Sequence, residues 1–251
     1  MTASRDHRVL VSTLLGVAAV SWLGLWLWER LGAGHAHGHG QSWDTASFLL
    51  FTAGWVLMTS AMMLPTAIPL VAIFRRLTRR RKDGAWLTLL LVLGYMAVWS
   101  VFGAAAWAGD LAVHRLVNAL DWLTANAWAV SATVLLAAGV YQFTPWKYAC
   151  LDRCRAPLGF ITRRWTGRGS REIQSLRVGL DHGAWCVGCC WSLMLVMFAV
   201  GLGSVLWMLA LGVVMVIEKN LPGGRRLTTP VGIVLVVVGL TTTAQGYFGS
   251  L

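Results

Sequence analysis

HGAWCVGCCWSLMLVMFAVGLGSVLWMLALGVVMVI, His182 to Ile217, runs 36 residues without an Asp, Glu, Lys or Arg. About 20 apolar residues cross the roughly 30 Å hydrocarbon core of a bilayer. The stretch therefore reads as two membrane passes, about Gly179–Phe198 and Val200–Ile217. The rest of the chain agrees with that reading. It is 57% hydrophobic and only 12% charged, about half the charged fraction of a soluble domain. Further apolar runs lie at about Val9–Trp28, Ala46–Ile68, Ala85–Trp107, Ala127–Trp146 and Thr229–Tyr247. The first is too long for a typical secretory signal core, and no small-x-small cleavage site follows it cleanly. The expectation is an all-α polytopic membrane bundle of about seven transmembrane helices. No internal repeat or linker divides it, so it reads as one domain over residues 1–251.

Charge placement orients the bundle. With the N-terminus inside, 19 of the 21 Lys and Arg fall in cytoplasmic segments, and only Arg30 and Arg115 lie outside. That is a positive-inside pattern with N-in and C-out. The net charge of +11 thus reflects topology and contact with anionic lipid; no nucleic acid partner is expected. Many of the 15 tryptophans sit near span ends, among them Trp28, Trp107 and Trp146, as in an interfacial aromatic belt.

The opening stretch also carries soft ligands. His182, Cys186, Cys190 and Met194 are spaced by four, and Met197 follows three later. On a helix they form one slowly drifting stripe, with Cys189 one residue off it. Thiolate and thioether sulfur favour Cu(I), and thiolate also suits zinc. One helix cannot surround an ion, so other spans must contribute. The second span offers Met58, Met62 and Met63, then Pro65, which cannot bond back to Ala61 and should kink the helix. The sixth span adds Met208, Met215 and Glu218, the last beside Lys219 as an interfacial ion pair or as a metal or proton ligand. Cys150 and Cys154 lie four apart after the fourth span, where Lys147, Arg153 and Arg155 should favour thiolate. They could form half of a site that Cys186 and Cys189 complete, either a closed zinc staple or a Cu(I) docking site. Packing and a redox switch are the competing accounts of these sulfurs. Methionine commonly fills gaps in apolar cores, and a reducing compartment disfavours structural disulfides.

Outside, HAHGHG places His35, His37 and His39 among glycines, where the imidazoles could gather around an ion. Asp110 and His114 lie four apart in the expected second outside loop, before Asp121. Imidazole and carboxylate suit Cu(II), zinc or nickel. There is no Gly-rich nucleotide loop, no serine nucleophile elbow and no pair of buried carboxylates, so the reading leans away from an enzyme.

The segments MTSAMMLPTAIPLVAIFRR, GVYQFTPWKYACLDRCRAPLGF, GLDHGAWCVGCCWSLMLVMFAVGL and LWMLALGVVMVIEKNLPGG resemble a bacterial family of metal-binding integral membrane proteins. That family is a domain of unknown function, also described as a copper chaperone of the polyphenol oxidase maturation type. The resemblance covers about Phe48 to Leu240 and leaves the first helix and the His-rich loop, residues 1–47, as an N-terminal extension. It implies a multi-pass protein of the bacterial inner membrane that handles copper and exchanges it with a metal-donating or metal-receiving protein. It also implies Met58, Met62, Met63, Cys150, Cys154, His182, Cys186, Cys189 and Cys190 as candidate ligands. One departure is Gly203-Ser204, where family members often carry Met-Asn. The leading expectation is Cu(I) binding and delivery. The alternatives are a membrane metalloenzyme or redox subunit, and a zinc-stapled scaffold for a partner protein.

Overall fold

The computed structural model describes residues 2–31, 45–166, 169–200 and 204–249. They are helical, with no strand among them. In chain order the helices are α1 (Thr2–Arg30), α2 (Thr45–Met62), α3 (Ile68–Thr78), α4 (Gly84–Ala119), α5 (Asp121–Ala125), α6 (Trp128–Tyr141), α7 (Pro145–Cys154), α8 (Pro157–Arg164), α9 (Arg171–Val200), α10 (Val205–Asn220) and α11 (Thr228–Gly249). His35, His37 and His39 lie outside the described residues.

Five helical stretches are long and apolar enough to cross a membrane: Arg8–Arg30, Thr45–Met62, Gly84–Ala119, Arg171–Ala199 and Gly224–Phe248. The expected fourth and sixth passes fall on α6 and α10, of 14 and 16 residues. At 1.5 Å per residue these are roughly 21 and 24 Å long, short of the hydrocarbon thickness. Large apolar side chains such as Val20, Val101, Leu206 and Val237 point outward, the kind of surface that must be covered by lipid or a partner.

Pro65 breaks the second segment as the sequence expects. α2 stops at Met62, the chain turns through a 3₁₀ stretch at Pro65–Ala67, and α3 resumes at Ile68. The amides of Met63 and Leu64 both reach Thr59 O, and those of Thr66 and Ala67 reach Met63 O and Leu64 O. The amides on either side of the proline are thus satisfied locally, those after it by tighter turns than the α-helix makes.

α9 is the central helix. More than half of its apolar window is buried, against a third or less for the other four long helices. α4 lies along it because two glycines permit it. A Cβ added at Gly179 would stand 2.0 Å from Leu91 O, and one at Gly94 would stand 2.4 Å from Leu176 O. Small residues at a helix–helix contact let the backbones approach this closely.

One expectation about the outside needs correction. α4 does not end near Trp107 but continues to Ala119. Asp110 and His114 are therefore successive-turn neighbours on a helix rather than parts of a loop. The His114 Nδ1 stands 3.5 Å from Asp110 Oδ2, an ordinary i,i+4 pair.

Candidate functional site

The stripe on α9 faces inward. His182, Cys186, Cys190, Met194 and Met197 are all buried, and so is Cys189. Three other parts of the fold close on it.

α7 supplies the first wall. Thr144 caps it by accepting from the Lys147 amide, with Pro145 in the first turn, where its missing N–H costs nothing. The helix then presents Cys150 and Cys154 inward, and Pro157 opens α8. The Cys150 sulfur packs against Gly188, where an added Cβ would lie only 2.7 Å from it. The Tyr141 hydroxyl donates to Gly188 O at 2.6 Å. The Cys154 sulfur stands 3.7 Å from that of Cys189, which in turn stands 3.5 Å from that of Cys190. All five cysteines are free thiols. Burial pushes the Cys150 and Cys154 thiols above the ordinary cysteine range, and at Cys150 it outweighs the Arg153 and Lys147 charges. The basic residues do pull the Cys150 thiol down, as expected, but burial outweighs them. The cations are engaged elsewhere. Arg153 stacks on Trp185, and Arg155 donates to Glu218 O and Leu221 O at the end of α10.

α10 supplies the second wall. The Lys219 ammonium lies 2.8 Å from Cys186 Sγ, 3.4 Å from Thr66 Oγ1 and 3.8 Å from Met63 Sδ. Glu218 does not pair with Lys219 at an interface, as its place beside that residue suggested. It is fully buried and accepts from Lys147 Nζ at 2.8 Å, while Lys147 also donates to Cys189 O at 2.7 Å. The second Glu218 oxygen, Oε1, has no hydrogen-bond partner.

α4 and the Pro65 turn supply the third wall. The Tyr95 hydroxyl donates to Met63 O at 3.2 Å and lies 3.0 Å from Cys186 Sγ. The Tyr95 ring stacks on His182, and Phe160 meets the same imidazole edge-on. His182 is buried with its Nδ1 unpartnered. A cavity of about 130 Å³ is lined by Thr66, Cys154, Arg155, Pro157, His182 and Lys219, among others.

The methionines divide. Met63 is at the lysine and cysteines. Met58 lines a separate space with Leu25, Trp55 and Met208, and Met62 lines another with Trp22, Leu209 and Val216. Among the described residues, no three His, Cys, Asp or Glu side chains converge as a ready-made metal cage. The sulfurs are nevertheless close enough to share an ion. Ligands about 2.3 Å from a tetrahedral metal stand roughly 3.8 Å apart, and Cys154 and Cys189 already have that separation.

Residues 52–242, well over half of the chain, match the model of the PpoB2 family, whose description is copper chaperone. The chain belongs to the PpoB2 copper chaperone family. Membership carries a copper-handling role. The PpoB2 match contains all five cysteines, His182, Met58, Met62, Met63, Glu218 and Lys219. It leaves α1 and the His35–His39 segment outside. No curated protein and no solved structure matches the chain.

Sequence reasoning missed Tyr95, Thr66, Lys147 and Lys219 as members of this constellation. A signal existed for the lysines. Lys147 and Lys219 border apolar spans that also carry the cysteines, and a cation drawn into such a place needs an anionic or polar partner.

Proposed function

We propose that this PpoB2-family protein binds Cu(I) within the membrane and delivers it to a partner protein. The ligands are drawn from Cys154, Cys186, Cys189 and Cys190, with His182 and Met63 at the margin. The cargo is soft and monovalent, and sulfur is the donor that suits it. The observation that carries the reading is the run of free, buried sulfurs from Cys154 through Cys189 to Cys190, at 3.7 and 3.5 Å. It joins two helices through residues 35 apart in sequence, Cys154 and Cys189.

The topology proposed is seven passes with N-in and C-out in a bacterial inner membrane. It places α7 and the basic α8 segment at the cytoplasmic face. Copper then meets a partner on that side, and His35, His37 and His39 serve as an outside collection point.

The test is a Cu(I) titration of the detergent-purified protein against a chromogenic Cu(I) chelator, with metal content measured by mass spectrometry. Tight uptake that is lost in Cys189→Ser supports the proposal. Inert zinc retained at one equivalent, with no Cu(I) uptake, would establish the zinc staple instead.

A further inference from the structure

Lys219 is an unusual occupant for a thiol site. It is 6% exposed, and no carboxylate pairs with it among the described residues. The neighbouring acid, Glu218, is committed to Lys147. The groups around the ammonium are a hydroxyl, a thioether and the Cys186 sulfur at 2.8 Å. A buried charge needs a compensating one. Among the described residues in contact with Lys219, Cys186 is the one that can carry a negative charge.

We infer that Lys219 is the built-in counter-cation of the copper centre and makes a two-sulfur site selective for a monovalent ion. The inference rests on the Cu(I) reading above. Charge balance drives it. With Lys219 Nζ 2.8 Å from Cys186 Sγ, an ammonium–thiolate pair there would be neutral before the metal arrives. When Cu(I) arrives, it bonds to the Cys186 thiolate and to one further cysteine sulfur, whose S–H bond breaks and releases one proton to solvent. Copper at +1 with two thiolates has a net charge of −1, and Lys219 cancels it. No electron is transferred. A zinc ion in the same two-thiolate arrangement would be neutral by itself, and Lys219 would leave the site at +1. In four-thiolate form zinc would carry −2, of which Lys219 could cancel half. With two sulfurs, only the monovalent ion closes the balance; zinc would need a third thiolate to do so.

The geometry permits the exchange. Lys219 reaches the site from α10, while the cysteines come from α7 and α9. The ammonium can therefore withdraw toward Thr66 and the adjoining 130 Å³ cavity without moving the sulfurs. Cys189 and Cys190 are the further cysteines in place on the same helix.

The experiment compares wild type, Lys219→Met and Lys219→Arg, each purified whole. Cu(I) and Zn(II) affinities are measured by chelator competition, and protons released per metal are counted in weakly buffered solution. Lys219→Met is expected to lose at least about tenfold in Cu(I) affinity and to narrow or invert the preference for Cu(I) over Zn(II). Lys219→Arg keeps the charge and should keep the preference. Equal Cu(I) affinity and unchanged discrimination in Lys219→Met would overturn the counter-cation role while leaving copper binding standing. A wild type that takes up no Cu(I) would overturn both. If Lys219→Met does not fold, wild type decides alone. X-ray absorption at the copper edge should then find two sulfur neighbours, with one proton released per Cu(I). Three or more sulfurs with two or more protons released would overturn the inference.

Discussion

The Cys154 sulfur on α7 and the Cys189 sulfur on α9 stand 3.7 Å apart, both buried and both reduced. Cys150, one turn earlier on α7, packs instead against Gly188. The two cysteines of that helix should therefore behave differently. Serine is nearly isosteric with cysteine but offers a hard oxygen in place of soft sulfur. Cys189→Ser should weaken Cu(I) binding by more than the roughly 10–100-fold typical of changes around a metal's ligands, and Cys154→Ser, which removes the sulfur beside Cys189, by about that range. Cys150→Ser should stay within about threefold of wild type in the same competition assay. Equal losses at Cys150 and Cys154 would move the site to the loop.

Gly188 sets how closely α7 approaches. Alanine there would bring a carbon to 2.7 Å from Cys150 Sγ, so a side chain or a helix must shift. Overpacking of this kind costs about 1–3 kcal/mol. Gly188→Ala should lower thermal stability in detergent, and Cys150→Ala should restore most of it by removing the clashing atom. A double variant no more stable than Gly188→Ala alone would show that the glycine serves the backbone rather than the sulfur.

Much of this was legible in the sequence. The α9 stripe followed from spacing by four, and the break at Pro65 followed from the missing amide. Other features were not legible, for physical reasons. The extension of α4 past Trp107 was hidden because Asp110 and His114 look like loop residues, yet they satisfy each other one turn apart. The Glu218–Lys147 pair joins positions 71 apart, a distance no local pattern reports, and the adjacent Lys219 offered a nearer but false partner. Met58 and Met62 lie four apart and would share one face of an unbroken helix. The turn created by Pro65 redirects the chain so that Met63 meets Lys219.

The proposed topology turns on α6, which has only 14 residues. If it crosses, the end of α8 at Trp165 and Thr166 is cytoplasmic, as the eight basic residues from Lys147 to Arg177 require. A reporter that folds only outside the reducing cytoplasm, inserted there, should be inactive. The same reporter in the Leu120–Ala127 turn should be active. Activity at both positions would mean that α6 does not cross, and would place α7 and the cysteines on the outer side.

The buried pair of Lys147 and Glu218 gives the last prediction. Both side chains are fully shielded, with nitrogen and oxygen 2.8 Å apart. Removing one charge strands the other, at about 3–5 kcal/mol, whereas replacing both with uncharged groups is often neutral. Lys147→Met also frees Cys189 O, which accepts from the same ammonium, so its damage should reach the copper site as well as the fold. Lys147→Met should therefore give little folded protein, measured as monodisperse yield in detergent. The double variant Lys147→Met, Glu218→Gln should recover most of that yield but bind Cu(I) more weakly than wild type, because the backbone of Cys189 has lost its anchor. If the double variant recovers both yield and affinity, the pair is structural only. If it recovers neither, the lysine is required for the backbone of Cys189 rather than for charge balance.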